Sequence, residues 1–410
     1  MRFLFYSHDG FGLGHTCRNL AIARALTQLA PNASVLIASG SDDVTRLGVP
    51  DRVEVLKLPG LRKLANESYG SRYLGVSPDA VRHLRSRLLQ GTVESFQPDV
   101  LLVDKHPFGA GGELRPALEA QRALRHRAVL GLRDILDDPA TVREEWEPHG
   151  LPQAIPEHYD AVLVYGQQSL FDTALEYGFS SSLLERTHYC GYVVDSPSRQ
   201  TARSAMARTS GKPLVLATIG GGEDGAELLE AFLTRSVNEP WERVAVTGPL
   251  VSAKESRRLK DLADLHGIEL HTFIPGLQKW FGPADVVVCM GGYNTIAQCL
   301  AAGARIICVP RIHPRREQWV RAESLALRGL LRLVPPAELT PARLNEEIRN
   351  ALGSSRSALR ARVRAQVDFS GADTAARHLM DLAAPARGPA AAPAAASRPI
   401  PVKSLFQIVP

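Results

Sequence analysis

The sequence predicts an α/β protein of two doubly wound, Rossmann-like domains, each with a parallel sheet, facing one another across a cleft. Three observations carry this. Short apolar runs alternate with stretches of helical periodicity along most of the chain. Many runs, such as DVLLVD (99–104) and DVVVCM (285–290), are continuously apolar, which suits strands covered on both faces by helices. A length of 410 residues fits two domains of ordinary size better than one.

The runs place strands at 2–7, 35–39, 99–104, 128–132 and 160–166 in the first half. In the second half they fall at 213–219, 243–247, 268–273, 285–290 and 305–309. The polar stretch 193–213 has two prolines and little periodicity, and reads as a linker with a short helix. The expected division is therefore 1–195, a linker 196–212, a second domain 213–370, a terminal helix 371–385 and a tail 386–410. Alanine and proline dominate that tail, which cannot bury a core and is expected to be disordered.

Composition narrows the function classes. The chain is 45% hydrophobic and 22% charged, normal for a soluble protein with full cores. No apolar run reaches the roughly 18 residues of a membrane span. Met1-Arg2 leads into a short apolar stretch broken by His8 and Asp9, so no signal peptide is expected. Cys17, Cys190, Cys289, Cys299 and Cys308 form no C-x-x-C pair, which points to a reducing, cytoplasmic compartment without a zinc site. Cys289 and Cys308 fall in strand-like runs and read as small core residues. The net charge is +5. The basic clusters VRHLRSR (81–87) and RALRHRAVLGLR (122–133) are candidates for anionic substrates or a phospholipid surface. No basic run is interleaved with aromatics, so nucleic acid is not an expected partner.

Three constellations carry candidate chemistry. In DGFGLGHTCRN (9–19), Gly12 and Gly14 permit a tight turn close to a ligand, and His15 opens the next helix. The positive end of a helix favours neutral imidazole, which can act as a base near pH 7. In LATIGGGEDGAELLEAFL (216–233), Gly220, Gly221 and Gly222 link a strand to a helix starting near Asp224, a phosphate-cradle order of elements. It lacks the Lys-Ser/Thr of a P-loop, which argues against nucleoside triphosphate hydrolysis. Glu223 and Asp224 oppose a bare phosphate, and Asp224 is also an N-cap candidate. The third segment, 273–325, places Gly291-Gly292 after a strand, Asn294 as a cap with Thr295 beside it, and a helix stop at Gly303. A strand RIICVP and a second helix start at PRREQ follow. The first helix start suits a diphosphate. Gln298, one turn inside, is placed to reach a ribose hydroxyl, and Glu317 and Gln318 to bond sugar hydroxyls. Asp104 and His106 follow the strand DVLLVD and are second candidates for acceptor binding or base support, as is Asp134 in GLRDILDDP.

The segments SHDGFGLGHTCRNLAIA, VDKHPFGAGGEL, GLRDILDDP and MGGYNTIAQCLAAGARIICVPR resemble the GT-B glycosyltransferases. The likeness is strongest to family 28, typified by the lipid-II-forming N-acetylglucosaminyltransferase, and spans most of residues 1–380. It implies an N-terminal acceptor domain, a C-terminal nucleotide-sugar domain and a last helix, 371–384, crossing back to the first. It implies roles for Gly12, Gly14 and His15 in the N-terminal loop, and for Gly220 to Gly222 in the second phosphate loop. Phe273 and Ile274 match the segment whose backbone meets the base, and Glu317 and Gln318 the pair that reads the sugar. Gln298 stands where the family typically has a glutamate gripping the ribose diol, so one charge-assisted hydrogen bond is lost there.

The expected activity is an inverting, metal-independent transfer from a nucleotide sugar, by resemblance UDP-linked, to a hydroxyl or amine of a small-molecule acceptor such as a specialised metabolite. No D-x-D motif stands in a suitable place, and the nucleotide sugar is a co-substrate rather than a cofactor. The protein is expected to act as a monomer or homodimer, with membrane association weakly supported. The rivals are a nucleotide-sugar 2-epimerase or hydrolase on the same fold, and a non-catalytic protein that binds a nucleotide sugar or a partner.

Overall fold

The computed structural model describes residues 1–7, 14–42, 44, 48–65, 68–195, 211–234 and 239–384. Gly12, most of the expected linker and the Ala/Pro tail lie outside the described residues.

The first half runs β1 (Arg2–Ser7), α1 (Gly14–Leu29), β2 (Ser34–Ser39), β3 (Val53–Lys57), β4 (Leu61–Ala65), β5 (Ser68–Ser71), α2 (Pro78–Phe96) and β6 (Val100–Asp104). It continues with α3 (Arg115–Ala123), β7 (Arg127–Arg133), α4 (Pro139–Trp146), α5 (Leu151–His158), β8 (Ala161–Tyr165), α6 (Thr173–Glu176), α7 (Ser181–Leu184) and β9 (Thr187–Tyr189). The second half runs β10 (Leu214–Thr218), α8 (Ala226–Leu233), β11 (Glu242–Val246), α9 (Ala253–His266), β12 (Glu269–His271), α10 (Gln278–Phe281) and β13 (Val286–Cys289). Then come α11 (Tyr293–Ala301), β14 (Arg305–Cys308), α12 (Glu317–Leu327), β15 (Arg332–Leu333), α13 (Pro341–Gly353), α14 (Arg356–Gln366) and α15 (Gly371–Ala383).

Seven strands form one sheet in the order β3-β2-β1-β6-β7-β8-β9, and six form another in the order β12-β11-β10-β13-β14-β15. Every pairing in both is parallel; β4 and β5 make a separate antiparallel hairpin. The continuous apolar runs behave as a two-sided burial requires: every residue of β6, β8, β10 and β13 is buried. Cys289 of β13 and Cys308 of β14 are fully buried.

Each of the ten expected strands is present, with ends shifted by a residue or two. Five elements were not expected. β3 (VEVLK) and the β4–β5 hairpin (LRKLA and SYGS) interrupt their apolar residues with charged or polar ones, while β9 and β15 have three and two residues and take their order from the neighbouring strand.

Strand order reverses between β1 and β6 in the first sheet and between β10 and β13 in the second. Ligands of open α/β sheets lie beyond the carboxyl ends of strands at such points. The residues after β1, β6, β10 and β13 are those of the glycine-rich and acidic motifs, so topology brings them to one place. α15 packs against α1, which brings this last described helix back to the first domain. There His378 of α15 stacks on His188 of β9, ring centroids 4.5 Å apart.

Burial, and then His378, lower the pKa of His188. A histidine whose native pKa is depressed adds stability above its unfolded value of about 6.5, and that stability is lost as pH falls below it. Thermal melts are therefore expected to show a falling midpoint from pH 7.5 to 5.5, with a smaller fall for His378→Gln. Equal falls in both proteins would detach the stacked pair from acid sensitivity.

Candidate active site

A cavity of about 580 Å³ opens between the two domains. Gly14, His15 and Arg18 of α1 line it from one side. Gly220, Gly221, Gly222, Phe273 and Ile274 line it from the other, with Gly292, Asn294 and Thr295 at the start of α11.

The glycine turns have steric causes. Gly220 and Gly222 have φ of +74° and +94°. A Cβ on Gly222 would stand 2.6 Å from the Thr247 carbonyl oxygen, so the turn after β10 admits no side chain there. A Cβ on Gly291 would meet the Gln318 carbonyl oxygen at 2.7 Å. α11 is capped by Gly292, with no side-chain cap, so its N-terminal turn faces the cavity. Asn294 is thus not the cap. It lies inside the helix and its Nδ2 donates across the cleft to the Gly14 carbonyl at 3.0 Å. Asp224 is not a cap either: α8 begins two residues later, after Gly225, and Asp224 accepts from Arg311 Nη1 at 2.8 Å. That pairing draws its charge away from an incoming phosphate.

His15 is the best-supported reactive group. Its Nδ1 lies 3.2 Å from Asp104 Oδ2 and 2.8 Å from Arg18 Nη2. Asp104, at the end of β6, is fully buried and accepts from Arg18 at 2.9 and 2.7 Å. Arg18 is held over the rings of Tyr165 and Tyr293. Two tautomers fit this triangle. If Nδ1 accepts from Arg18, Nε2 carries the proton and is no base. If Nδ1–H donates to Asp104, Nε2 presents its lone pair, the arrangement a carboxylate-supported base uses. Burial lowers the His15 pKa and Asp104 only partly opposes it, so the imidazole is neutral near pH 7. The direction is the one expected from the helix start, with burial as its leading cause. Burial would raise the Asp104 pKa, but Arg18 and then His15 hold it below the usual carboxylate range.

His106 is separated from this group. It lines a second cavity of about 620 Å³ with Phe108, Arg115, Trp146 and Arg315. The turn after β6 carries Asp104 inward and His106 away, so the two do not act at one centre as the sequence suggested.

On the donor side Gln318 Oε1 accepts from the backbone N–H groups of Gly291 and Arg311, at 3.1 and 3.2 Å, tying two strand ends together. Glu317 is buried and accepts from Arg311 Nη2 at 2.5 Å. Burial pushes its carboxyl up, but Arg133, Arg311 and Arg321 together pull it below the ordinary value. α12 begins at Glu317 itself, after Arg316. Gln298, within α11, is half-buried and is not among the residues lining the cavity. Asp134 is buried and takes Arg321 of α12 at 2.6 and 3.0 Å, while Arg321 Nη1 donates to the Gly291 carbonyl at 2.9 Å. Asp134 therefore joins the domains rather than facing a substrate.

Sequence reasoning passed over Arg18, Arg133, Arg311 and Arg321. The one usable signal was spacing: Arg18 follows His15 by three residues and Arg321 follows Glu317 by four, so each pair shares a helix face.

The crystal structure titled as the glycotransferase of kitacinnamycin superposes with a TM-score of 0.63, covering 93% of this chain and 98% of that one at 18% identity, which establishes a shared fold. Residues 217–377 match the glycosyltransferase family 28 C-terminal domain. The chain is a glycosyltransferase of the GT-B fold that carries a family 28-like C-terminal domain. The match runs from the end of β10 into the first half of α15 and includes the glycine turns at 220–222 and 291–292. The glycosyltransferase is 26% identical over 280 residues to the UDP-N-acetylglucosamine--N-acetylmuramyl-(pentapeptide) pyrophosphoryl-undecaprenol N-acetylglucosamine transferase of Corynebacterium efficiens, covering 65% of this chain and 74% of that one. It is 29% identical over 158 residues to the protein of the same name from Pasteurella multocida, covering 37% of this chain and 44% of that one. No helix among its described residues is long and apolar enough to cross a membrane.

Proposed function

We propose that this glycosyltransferase moves a sugar from a UDP-linked donor to a hydroxyl or amine of a small-molecule acceptor, with inversion and without a metal. The observation that carries the reading is the convergence of two glycine-rich strand ends, 220–222 and 291–295, on the cavity that His15 enters from the opposite domain. The N-terminal turn of α11 offers the positive field that a departing diphosphate needs. Phe273 and Ile274 flank the cavity where the base would lie.

In the proposed step the acceptor oxygen or nitrogen attacks the anomeric carbon from the face opposite the diphosphate. His15 Nε2 takes the acceptor proton, with Nδ1–H held by Asp104. The bond from the anomeric carbon to the diphosphate oxygen breaks, and its electron pair leaves on that oxygen. Neither Gln298 nor Glu317 lines the cavity, so their contacts with ribose and sugar remain part of the proposal.

A lipid-linked acceptor is the second reading, and one feature favours it. Tyr73, Leu74 and Val76 are exposed just beyond the hairpin and continue into α2, where Leu84 and Leu88 are exposed beside Arg82 and Arg87. Arg72 and Tyr73 also line the cavity. An apolar surface edged with basic residues at the mouth of a cleft suits a phospholipid interface. The relatives named above act, by name, on an undecaprenol-linked acceptor.

Incubation with a panel of nucleotide sugars, with release of free nucleoside diphosphate as the readout, separates the readings. Transfer releases it only with an acceptor, and soluble and detergent-dispersed lipid-linked acceptors form separate arms. Hydrolysis releases it without an acceptor, whereas epimerisation leaves the nucleotide sugar intact and is detected as the C2 epimer of the recovered donor. Release in no arm at millimolar donor, with no epimer formed, would contradict an enzymatic role.

A further inference from the structure

Arg133 differs from the other arginines around the inner cleft. Arg18 pairs with Asp104, Arg321 with Asp134, and Arg311 with Glu317 and Asp224. Arg133 ends β7 and lines the same cavity; its side chain makes no hydrogen bond or ion pair with any described residue, and its Nε is buried without a partner. Burial disfavours its charge and Glu317 only partly restores it. A guanidinium does not give up its proton at any working pH, and a shielded cation with no partner is costly. Such a group is retained at a cavity wall most readily where a ligand supplies the missing anion.

Position narrows the anion. The donor diphosphate has its own glycine-rich turns on the second domain. Arg133 stands on the first sheet, at the same carboxyl edge as Asp104, and feels the charges of both Arg18 and Glu317. It therefore looks onto the ground between the proposed base and the start of α12. We propose that Arg133 is the receptor for an oxyanion, a carboxylate or phosphate, carried by the transferred sugar or by the reacting end of the acceptor. The inference rests on the glycosyl-transfer reading and deepens it. A guanidinium fork binds such a group through two parallel hydrogen bonds, which lysine cannot reproduce.

Calorimetry on the full chain tests it with UDP, UDP-glucose and UDP-glucuronate, and with inorganic phosphate added to the UDP-saturated protein. If the anion belongs to the sugar, the wild type binds UDP-glucuronate at least tenfold more tightly than UDP-glucose. If it belongs to the acceptor, the UDP-saturated protein binds phosphate. In either case Arg133→Gln loses the gain while binding UDP as before, and Arg133→Lys keeps only part of it. Equal binding of the two sugars with no phosphate binding overturns the proposal. So does an Arg133→Gln variant that matches the wild type on both probes, or one that has lost UDP as well. Failure of UDP itself to bind the wild type sinks the donor reading and this inference together, whereas UDP binding without anion dependence sinks only the role of Arg133.

Discussion

His15→Ala is expected to lower turnover by about 10²-fold or more, because a positioned base is removed from the acceptor. The pH profile separates a base from a phosphate ligand. A base must be neutral, and burial places the His15 pKa below its ordinary value. The acidic limb of turnover should therefore lie below about pH 6.5, and the alanine variant should lose it. Asp104→Asn should act through His15. The amide keeps the shape but no longer favours the tautomer with its proton on Nδ1, so a loss of similar size is expected with binding of UDP unchanged. Near-normal turnover of His15→Ala at every pH would reduce the histidine to a partner of Arg18 and Asp104.

The largest effect on stability is expected at Arg321. It is buried, carries two hydrogen bonds to buried Asp134 of the other domain, and holds the Gly291 carbonyl. Breaking a buried pair by removing one partner leaves the other charge uncompensated and costs about 3–5 kcal/mol. Arg321→Met should lower the thermal midpoint by several degrees and loosen the turn at Gly291. The double variant Asp134→Leu, Arg321→Met should recover part of the loss, since two apolar residues leave no orphaned charge. If the single and double variants melt together, the pair is not what joins the domains at this point.

Much of the architecture could be read from the sequence, because a parallel sheet buried on both faces writes its strands as unbroken apolar runs. DVLLVD and DVVVCM became β6 and β13 with ends moved by one or two residues. The glycine turns were legible for a related reason. Gly222 has a φ of +94°, a local backbone demand that selects glycine, although the Thr247 carbonyl that leaves no room for a side chain is distant in sequence. Pairings between distant segments were not legible. Arg18 and Asp104 are 86 residues apart, and Arg321 and Asp134 are 187 apart. Nothing in local periodicity reports such contacts. The same limit explains His106: two residues after Asp104, it was grouped with it by proximity in sequence, yet Asp104 is buried against Arg18 and His15 while His106 lines a separate cavity. Asn294 was taken for a cap by residue type, while the helix start was decided by Gly292 and the contact with Gly14.

The central claim is that the second domain holds a nucleoside diphosphate at the turns 220–222 and 291–295. Isothermal titration of the full chain with UDP, GDP and TDP tests it most directly. The account predicts saturable binding of UDP, tighter than that of GDP or TDP; absence of binding by all three at millimolar concentration would contradict it.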